Sequence, residues 1–321
     1  MTANAQHGRR PVLAATMGAA CISCSAILVT LAHTGAATTA FFRCLLALPV
    51  LAVLTLIEQR RHGRRATRAR LTAFGAGTLL AVDLVLWNHA IAEVGAGVAT
   101  VLGNLQVAFV AVAAWALLGE RPSRGLLVSL PFVMAGVVLV SGLADSGGSG
   151  HHALAGIVYG LGTSIAYAAF LLIFRHSSTG TAHVAGPLTE ATAGAAFGAL
   201  VLGLLFGSFT LHIGWTAFGW LLLLATSSQT IGWLLITASL PRLPAAMSSL
   251  LLLLQPAAAL AVAAAVLGQR PTLLQVAGAV LVCGGVLAAS GALPLRRGTA
   301  RRAARSEVAE GAAADPVPAE A

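Results

Sequence analysis

The carboxylate of Asp83 lies in the middle of a long apolar stretch of the sequence. In a membrane-crossing helix, the rise of about 1.5 Å per residue would place it close to the bilayer midplane. A charge there costs on the order of 3 kcal/mol, so the carboxylate must be paired, protonated or facing a wet cavity. Asp83 is therefore the first candidate for binding a substrate amine or carrying a coupled proton. The structural alternative is a salt bridge or a capping hydrogen bond inside the helix bundle.

Two residues near Asp83 extend this candidate site. Trp87 follows at i+4, which places its ring on the same helix face as the carboxylate. Arg43, in the preceding apolar run, is expected at a similar depth in the membrane. Arg43 could pair with Asp83, bind an anionic group of a substrate, or anchor its own helix.

Polar residues in later apolar runs are further candidates. Residues 226–230 are five consecutive polar residues, which cannot all face lipid. Gln229 and Trp233 are spaced i and i+4 and share a helix face, which favours a place on a cavity wall. The sixth apolar run offers Tyr159, Ser164 and Tyr167, of which one is expected to face the cavity, and Tyr167 is the candidate.

The sequence has no pattern typical of a catalytic, metal or cofactor site. It contains no lysine, which excludes the phosphate-binding Gly-x-x-x-x-Gly-Lys-Ser/Thr loop. It also has no zinc-type ligand spacing and no Gly-x-Ser-x-Gly elbow. Cys21 and Cys24 form a C-x-x-C pair inside an apolar run, and we interpret them as small residues for helix packing. We therefore expect no enzyme activity, no metal and no cofactor.

The composition is that of an integral membrane protein. Of the 321 residues, 58% are hydrophobic and 9% are charged, and the mean hydropathy is +0.88. Soluble domains carry about 25% charged residues, so this chain has too little charge to cover a water-soluble surface. The net charge of +9 comes from arginines in short runs between apolar stretches. That placement indicates membrane topology rather than nucleic-acid binding.

Ten apolar runs are long enough to cross a bilayer as helices. Because the runs are continuous rather than alternating, they exclude a β-barrel and predict an all-α integral membrane protein. With both termini in the cytoplasm, 17 arginines lie on the cytoplasmic side and one lies outside, as the positive-inside rule requires. The predicted spans are 12–32, 37–57, 71–91, 96–118, 125–143, 153–174, 185–207, 215–237, 245–267 and 272–293.

The second half of the chain repeats the first. With a shift of 149 residues, 102–142 align with 251–291 without a gap and share 15 identities in 41 positions. Gln106 and Gln255 fall on each other, so they could line a cavity together or lock the two halves to each other. Each half has five crossings, an odd number, so the halves insert with opposite orientation. Inverted repeats are typical of secondary transporters, with the site near the midplane.

Two motifs carry a family resemblance. Each half has a Gly-x-Arg-Pro turn before a Gly-rich final helix, within Leu118–Pro122 and Leu267–Pro271, and the second run contains Phe42–Ala47. Over about residues 12–293 the chain resembles the EamA-type members of the drug/metabolite transporter superfamily. The resemblance implies a ten-helix fold whose helices one, three, four, six, eight and nine line a central cavity. It gives helix two, and so Arg43, a peripheral place. Gln269 departs from the repeat, because the first half has Glu120 there.

We therefore predict a secondary transporter, an exporter of small metabolites, amino acids or toxic compounds by alternating access, with possible proton coupling. An intramembrane enzyme acting on lipid-like substrates and a non-transporting receptor or assembly protein are the alternatives. The expected partners are a small-molecule substrate, membrane lipid and a second copy in a homodimer, with no nucleic acid. The expected location is the bacterial inner membrane.

The predicted segments are 1–11 (cytoplasmic N-terminus), 12–143 and 153–293 (the repeats), 144–152 (external linker) and 294–321 (cytoplasmic tail).

Overall fold

The computed structural model describes residues 2–141, 153–206, 209–267 and 270–289. The predicted linker 144–152, the tail 294–321 and Gln269 lie outside the described residues. Within them the chain is helical and contains no β-strand. The helices are α1 Thr2–Ser23, α2 Ser25–Ala32, α3 Ala36–His62, α4 Thr67–Asn104, α5 Gln106–Leu118, α6 Arg124–Val140, α7 Ala153–Ser178, α8 Ala185–Leu205, α9 Trp215–Leu224, α10 Trp233–Ser239, α11 Ala245–Leu252, α12 Leu254–Leu267 and α13 Leu273–Ala289.

The prediction of ten membrane-spanning segments is confirmed. Eight segments of the described chain are long and apolar enough to cross a membrane. Two shorter apolar helices, α6 and α13, bring the number to ten. In the repeat these two helices occupy equivalent positions, each closing its half.

The boundary between the third and fourth predicted spans differs from the expectation. The helix α4 runs without interruption from Thr67 to Asn104. Consecutive residues of α7 nevertheless bond to the middle and to the last turn of α4: Thr163 donates to the Asp83 carbonyl (3.3 Å) and Ser164 to the Gly103 carbonyl (3.0 Å). Twenty residues of straight helix would separate those carbonyls by about 30 Å. The chain therefore reverses within α4, and α4 supplies parts of two spans.

Four membrane-spanning segments of the described chain are interrupted near their middle. Single residues, Cys24, Leu105 and Leu253, separate α1 from α2, α4 from α5, and α11 from α12. Residues Ala225–Gly232 form a π-helix between α9 and α10. Pro256 gives a physical reason for the third break, because it has no N–H to donate to the Leu252 carbonyl. Discontinuous helices are a common way to bring backbone polar groups to a binding site within a membrane.

Small residues let the two halves approach closely. A Cβ placed on Gly77 of α4 would lie 1.8 Å from the Ala191 carbonyl oxygen of α8, and one on Gly194 of α8 would lie 2.0 Å from that of Phe74. The final helices of the halves, α6 and α13, meet in the same way at Gly136 and Gly278, where a Cβ would lie 2.7 Å from the opposite carbonyl. Close backbone packing through small residues is typical of membrane helices.

Acidic side chains at one end of the bundle satisfy helix N-termini. This end carries the arginine-rich loop 58–70 and Glu120, and we call it the basic end. The Glu58 carboxylate accepts hydrogen bonds from the backbone N–H groups of Val184 (2.9 Å), Ala185 (2.9 Å) and Gly186 (3.0 Å). Those N–H groups open α8 and have no partner within it. Glu58 thereby ties the end of α3 to the start of α8.

We expect Glu58→Ala to lower the free energy of unfolding by about 1–3 kcal/mol, because it leaves buried N–H groups without a charged acceptor. Equilibrium unfolding in mixed detergent micelles measures the change. Gln59→Ala is the matched control, because the Gln59 side chain caps no helix in the described structure. An equal loss of stability in both variants would contradict the capping role.

Candidate functional site

A cavity lies between the two halves and consists of two adjoining pockets. Their volumes are about 410 Å³ and about 420 Å³. Six residues line both pockets: Ile22, Ser25, Asp83, Trp87, Tyr167 and Gln255. The structure brings all eight residues predicted from the sequence to this cavity. Gln106 lines the first pocket, and Arg43, Gln229 and Trp233 line the second.

Asp83 is buried on the cavity wall without a counter-ion. Its exposed fraction is 6%, and none of the ion pairs among the described residues includes it. Its backbone carbonyl accepts a bond from Thr163, which fixes α4 against α7. Of the possibilities left open by the sequence, the salt bridge is thus not found in the described structure. The carboxylate lines both pockets of the cavity.

Arg43 lines the second pocket. Its Nε donates to Gln229 Oε1 (3.1 Å) and its Nη2 donates to Ser228 Oγ (3.4 Å). Gln229 Nε2 in turn donates to Thr192 Oγ1 (3.2 Å). Arg43 therefore does not pair with Asp83, although both line this pocket. Its helix α3 is not peripheral to the cavity, which corrects the place that the family resemblance implied.

Aromatic side chains close the cavity toward the basic end. Tyr167 packs on Phe170 with ring centroids 5.5 Å apart, and Trp233 packs on Phe170 at 5.4 Å. Phe174 stacks on Phe170 at 5.6 Å, one turn nearer the basic end. Both phenylalanines are almost fully buried. Tyr167 and Trp233 thus line the cavity and also pack on the phenylalanines that close it. Trp87 lines the cavity one helical turn from Asp83.

The two repeat-related glutamines follow the helix breaks. Gln106 opens α5 directly after Leu105, and Gln255 is the second residue of α12 after Leu253. Gln106 is 7% exposed, and its Oε1 has no hydrogen-bond partner in the described structure. Buried amide oxygens are normally bonded, so this one is available to a donor from a ligand or water. The pair lies on the cavity wall rather than forming a bond that locks the halves.

Several cavity residues are not predicted from the sequence. Ser23 and Ser25 flank the break at Cys24, and Thr163 and Ser141 contribute hydroxyls from α7 and the end of α6. The resemblance implied that six helices line the cavity, but α3 and α6, the second and fifth spans, also contribute. The sequence does contain a signal for two of them, because Ser23 and Ser25 are polar residues within an apolar run. The interpretation of Cys21 and Cys24 as packing residues did not take these hydroxyls into account.

A profile of the EamA-like transporter family matches residues 9–142 and again residues 154–291. The chain belongs to the EamA-like transporter family. This family is part of the drug/metabolite transporter superfamily, and its double match corresponds to the two repeats. The resemblance stated from the sequence motifs is thereby confirmed, together with the inverted ten-helix architecture.

The fold of this chain is shared by a solved structure. One crystal structure superimposes with a TM-score of 0.74 and covers 87% of this chain and 96% of its own. Because the two sequences are only 14% identical, this match shows a likeness of fold alone. No curated protein matches the sequence. Among the described residues of this EamA protein, no group of three or more His, Cys, Asp or Glu could hold a metal ion.

Proposed function

We propose that this EamA-family protein is a secondary transporter of the bacterial inner membrane that exports small metabolites in exchange for protons. The observation that carries the proposal is the buried Asp83 carboxylate, which faces the cavity between inverted halves and has no counter-ion among the described residues. The distribution of 17 arginines against one supports a cytoplasmic basic end and cytoplasmic termini. The partners in this proposal are the solute and the surrounding lipid, and the homodimer stays a prediction.

Coupling follows from competition for one carboxylate. A proton neutralises Asp83, and an ammonium group on the solute neutralises it equally well, but the two cannot bind together. If the cavity changes the side to which it is open only when the charge of Asp83 is neutralised, each change needs either a proton or a cationic group on the carboxylate. One proton then moves in for each cationic group that moves out. Among the expected solutes, the proposal therefore favours amino acids and amine-bearing toxic compounds.

The basic end is closed by an ion pair that joins the halves. The Glu120 carboxylate after α5 accepts bonds from Arg175 Nη1 (2.7 Å) and from the Ala245 N–H (2.9 Å) that opens α11. Arg175 also donates to the carbonyls of Leu240 (3.2 Å) and Leu243 (3.0 Å). These contacts must break before the cavity opens toward the cytoplasm. The conformation described here is thus the one closed at that side.

We expect Glu120→Gln to shift the population toward the conformation open at the basic end. An impermeant maleimide applied to that side should label Cys at position 249 (Ser249→Cys, with native cysteines replaced) about fivefold faster, since the pair is worth about 1 kcal/mol. Ser249 is buried in the present conformation. Arg121→Gln is the matched control, because Arg121 forms no ion pair in the described structure. Equal labelling rates in the Glu120→Gln and Arg121→Gln variants would show that the ion pair does not hold the basic end closed.

Reconstitution in liposomes tests the proposed function. With a pH gradient imposed, the wild-type protein should move a radiolabelled amino-acid or amine mixture against its concentration gradient and carry protons the opposite way. Collapse of the gradient with an ionophore should leave only downhill exchange. Chemical change of the lipid without solute flux would favour the enzyme alternative, and neither signal would favour a receptor or assembly protein.

A further inference from the structure

Two opposite charges, the buried Asp83 and the half-buried Arg43, line one pocket without pairing. Asp83 and Arg43 both contribute to the second pocket, and no ion pair joins them among the described residues. Opposite charges attract strongly where water is scarce. The arginine side chain is long and flexible, so something must hold its guanidinium away from the carboxylate. Asp83 is the only carboxylate among the residues that line the two pockets.

The Gln229 amide has one possible orientation in this network. Arginine N–H groups only donate, so the Gln229 atom facing Arg43 Nε at 3.1 Å must be the oxygen. Gln229 Nε2 then points the other way and donates to Thr192 Oγ1 on α8 at 3.2 Å. Gln229 and Thr192 are 2% and 1% exposed, so the bond between them is protected from water. Because the oxygen and the nitrogen of the amide each form a hydrogen bond, the amide cannot rotate without losing both.

The backbone at this point reinforces the arrangement. Gln229 and Ser228 belong to the π-helical segment Ala225–Gly232, which carries one more residue per turn than an α-helix. Both residues bond to the Arg43 guanidinium. Their neighbour Ser227 instead donates to the Leu223 carbonyl of its own helix (2.7 Å). The π-helical turn thus directs two adjacent side chains to one guanidinium.

We infer that Gln229, held by Thr192, is a positioning residue that keeps the Arg43 guanidinium on the second-pocket wall and thereby keeps Asp83 unpaired. This inference rests on the proposed function, because transport through Asp83 is its readout. Without Gln229, the guanidinium loses its principal acceptor and swings to Asp83. The resulting internal ion pair competes with the proton and with the solute ammonium for the same carboxylate.

A double-mutant cycle tests the inference in proteoliposomes that take up a mixture of radiolabelled amino acids. Gln229→Leu should lower kcat/KM by about tenfold, the loss expected when a bond to a charged group is removed. In an Arg43→Met background the same substitution should change kcat/KM little, because no guanidinium remains to move. Ser227→Ala is the matched control on the same π-helical segment and should transport like the wild type.

Thr192→Val provides a milder variant that does not depend on the folding of Gln229→Leu. It removes only the acceptor of Gln229 Nε2, so a smaller loss is expected, and that loss should also vanish in the Arg43→Met background. Equal losses with and without Arg43 would show a merely structural role and overturn the inference. So would wild-type rates in both single variants. Absence of gradient-driven flux in the wild type would instead refute the proposed function.

Discussion

Asp83→Asn is expected to abolish proton-coupled transport while the protein still folds and inserts. Asparagine has nearly the same shape as aspartate, so it fills the same space on the wall of the cavity. It cannot take up a proton and presents no negative charge to an ammonium group. The variant loses the bond between the Asp83 carboxylate and the ammonium group of the solute, and this loss should lower the transport rate by at least about tenfold. Gradient-driven uptake into proteoliposomes, followed between about pH 5.5 and about pH 8, measures the loss.

The control for this prediction is a neighbouring change that leaves the charge in place. Thr163→Val removes the hydroxyl that donates to the Asp83 carbonyl (3.3 Å) but keeps the carboxylate in the cavity. Its transport should stay within about threefold of the wild-type rate, because a neutral hydrogen bond contributes little in net terms. Full coupled transport by Asp83→Asn over that pH range would exclude Asp83 from the mechanism.

Gly77→Ala is expected to force α4 and α8 apart and to destabilise the protein. The added Cβ would lie 1.8 Å from the Ala191 carbonyl oxygen, and the obstacle is helix backbone that no rotamer change can move. The helices α4 and α8 must separate, and the cost of such overpacking is about 1–3 kcal/mol or more. The close approach at Gly194 and Phe74 lies in the same contact and would be lost with it. Thermal unfolding in detergent should show a large drop in Tm.

Gly75→Ala is the matched control for Gly77→Ala. It lies two residues earlier on the same helix, where an added Cβ would meet nothing within 4 Å. Replacing glycine by alanine within a helix is favourable by itself, so this variant should be as stable as the wild type or slightly more stable. A Tm for Gly77→Ala equal to that of Gly75→Ala would mean that α4 and α8 do not pack as the structure shows.

The charged and amide residues of the cavity are predictable from the sequence because polar groups are costly in lipid. A carboxylate, a guanidinium and amides within apolar runs must face protein or a wet cavity, so their type and position already select them. The structure places all eight candidates on one cavity, while their roles in transport stay predictions. They are Arg43, Asp83, Trp87, Gln106, Tyr167, Gln229, Trp233 and Gln255.

The partners of these residues are not predictable from local spacing. Arg43 bonds to Gln229, which is 186 residues away in the sequence, and Glu120 bonds to Arg175 and to the start of α11. No helical periodicity relates such pairs, because they meet only where helices of different halves cross. The reversal within α4 is hidden for a similar reason, since its residues favour helix throughout.

The sequence by itself determined that this chain crosses the membrane ten times as two inverted halves. Hydropathy, arginine placement and the repeat carry that information, because the solvent that each segment meets depends on composition and length. Only the tertiary structure decided that Asp83 and Arg43 face one pocket unpaired, and that α3 and α6 join its wall. The reason is that hydrogen bonds and close glycine contacts between helices depend on how the helices cross, and this geometry exists only in the folded bundle.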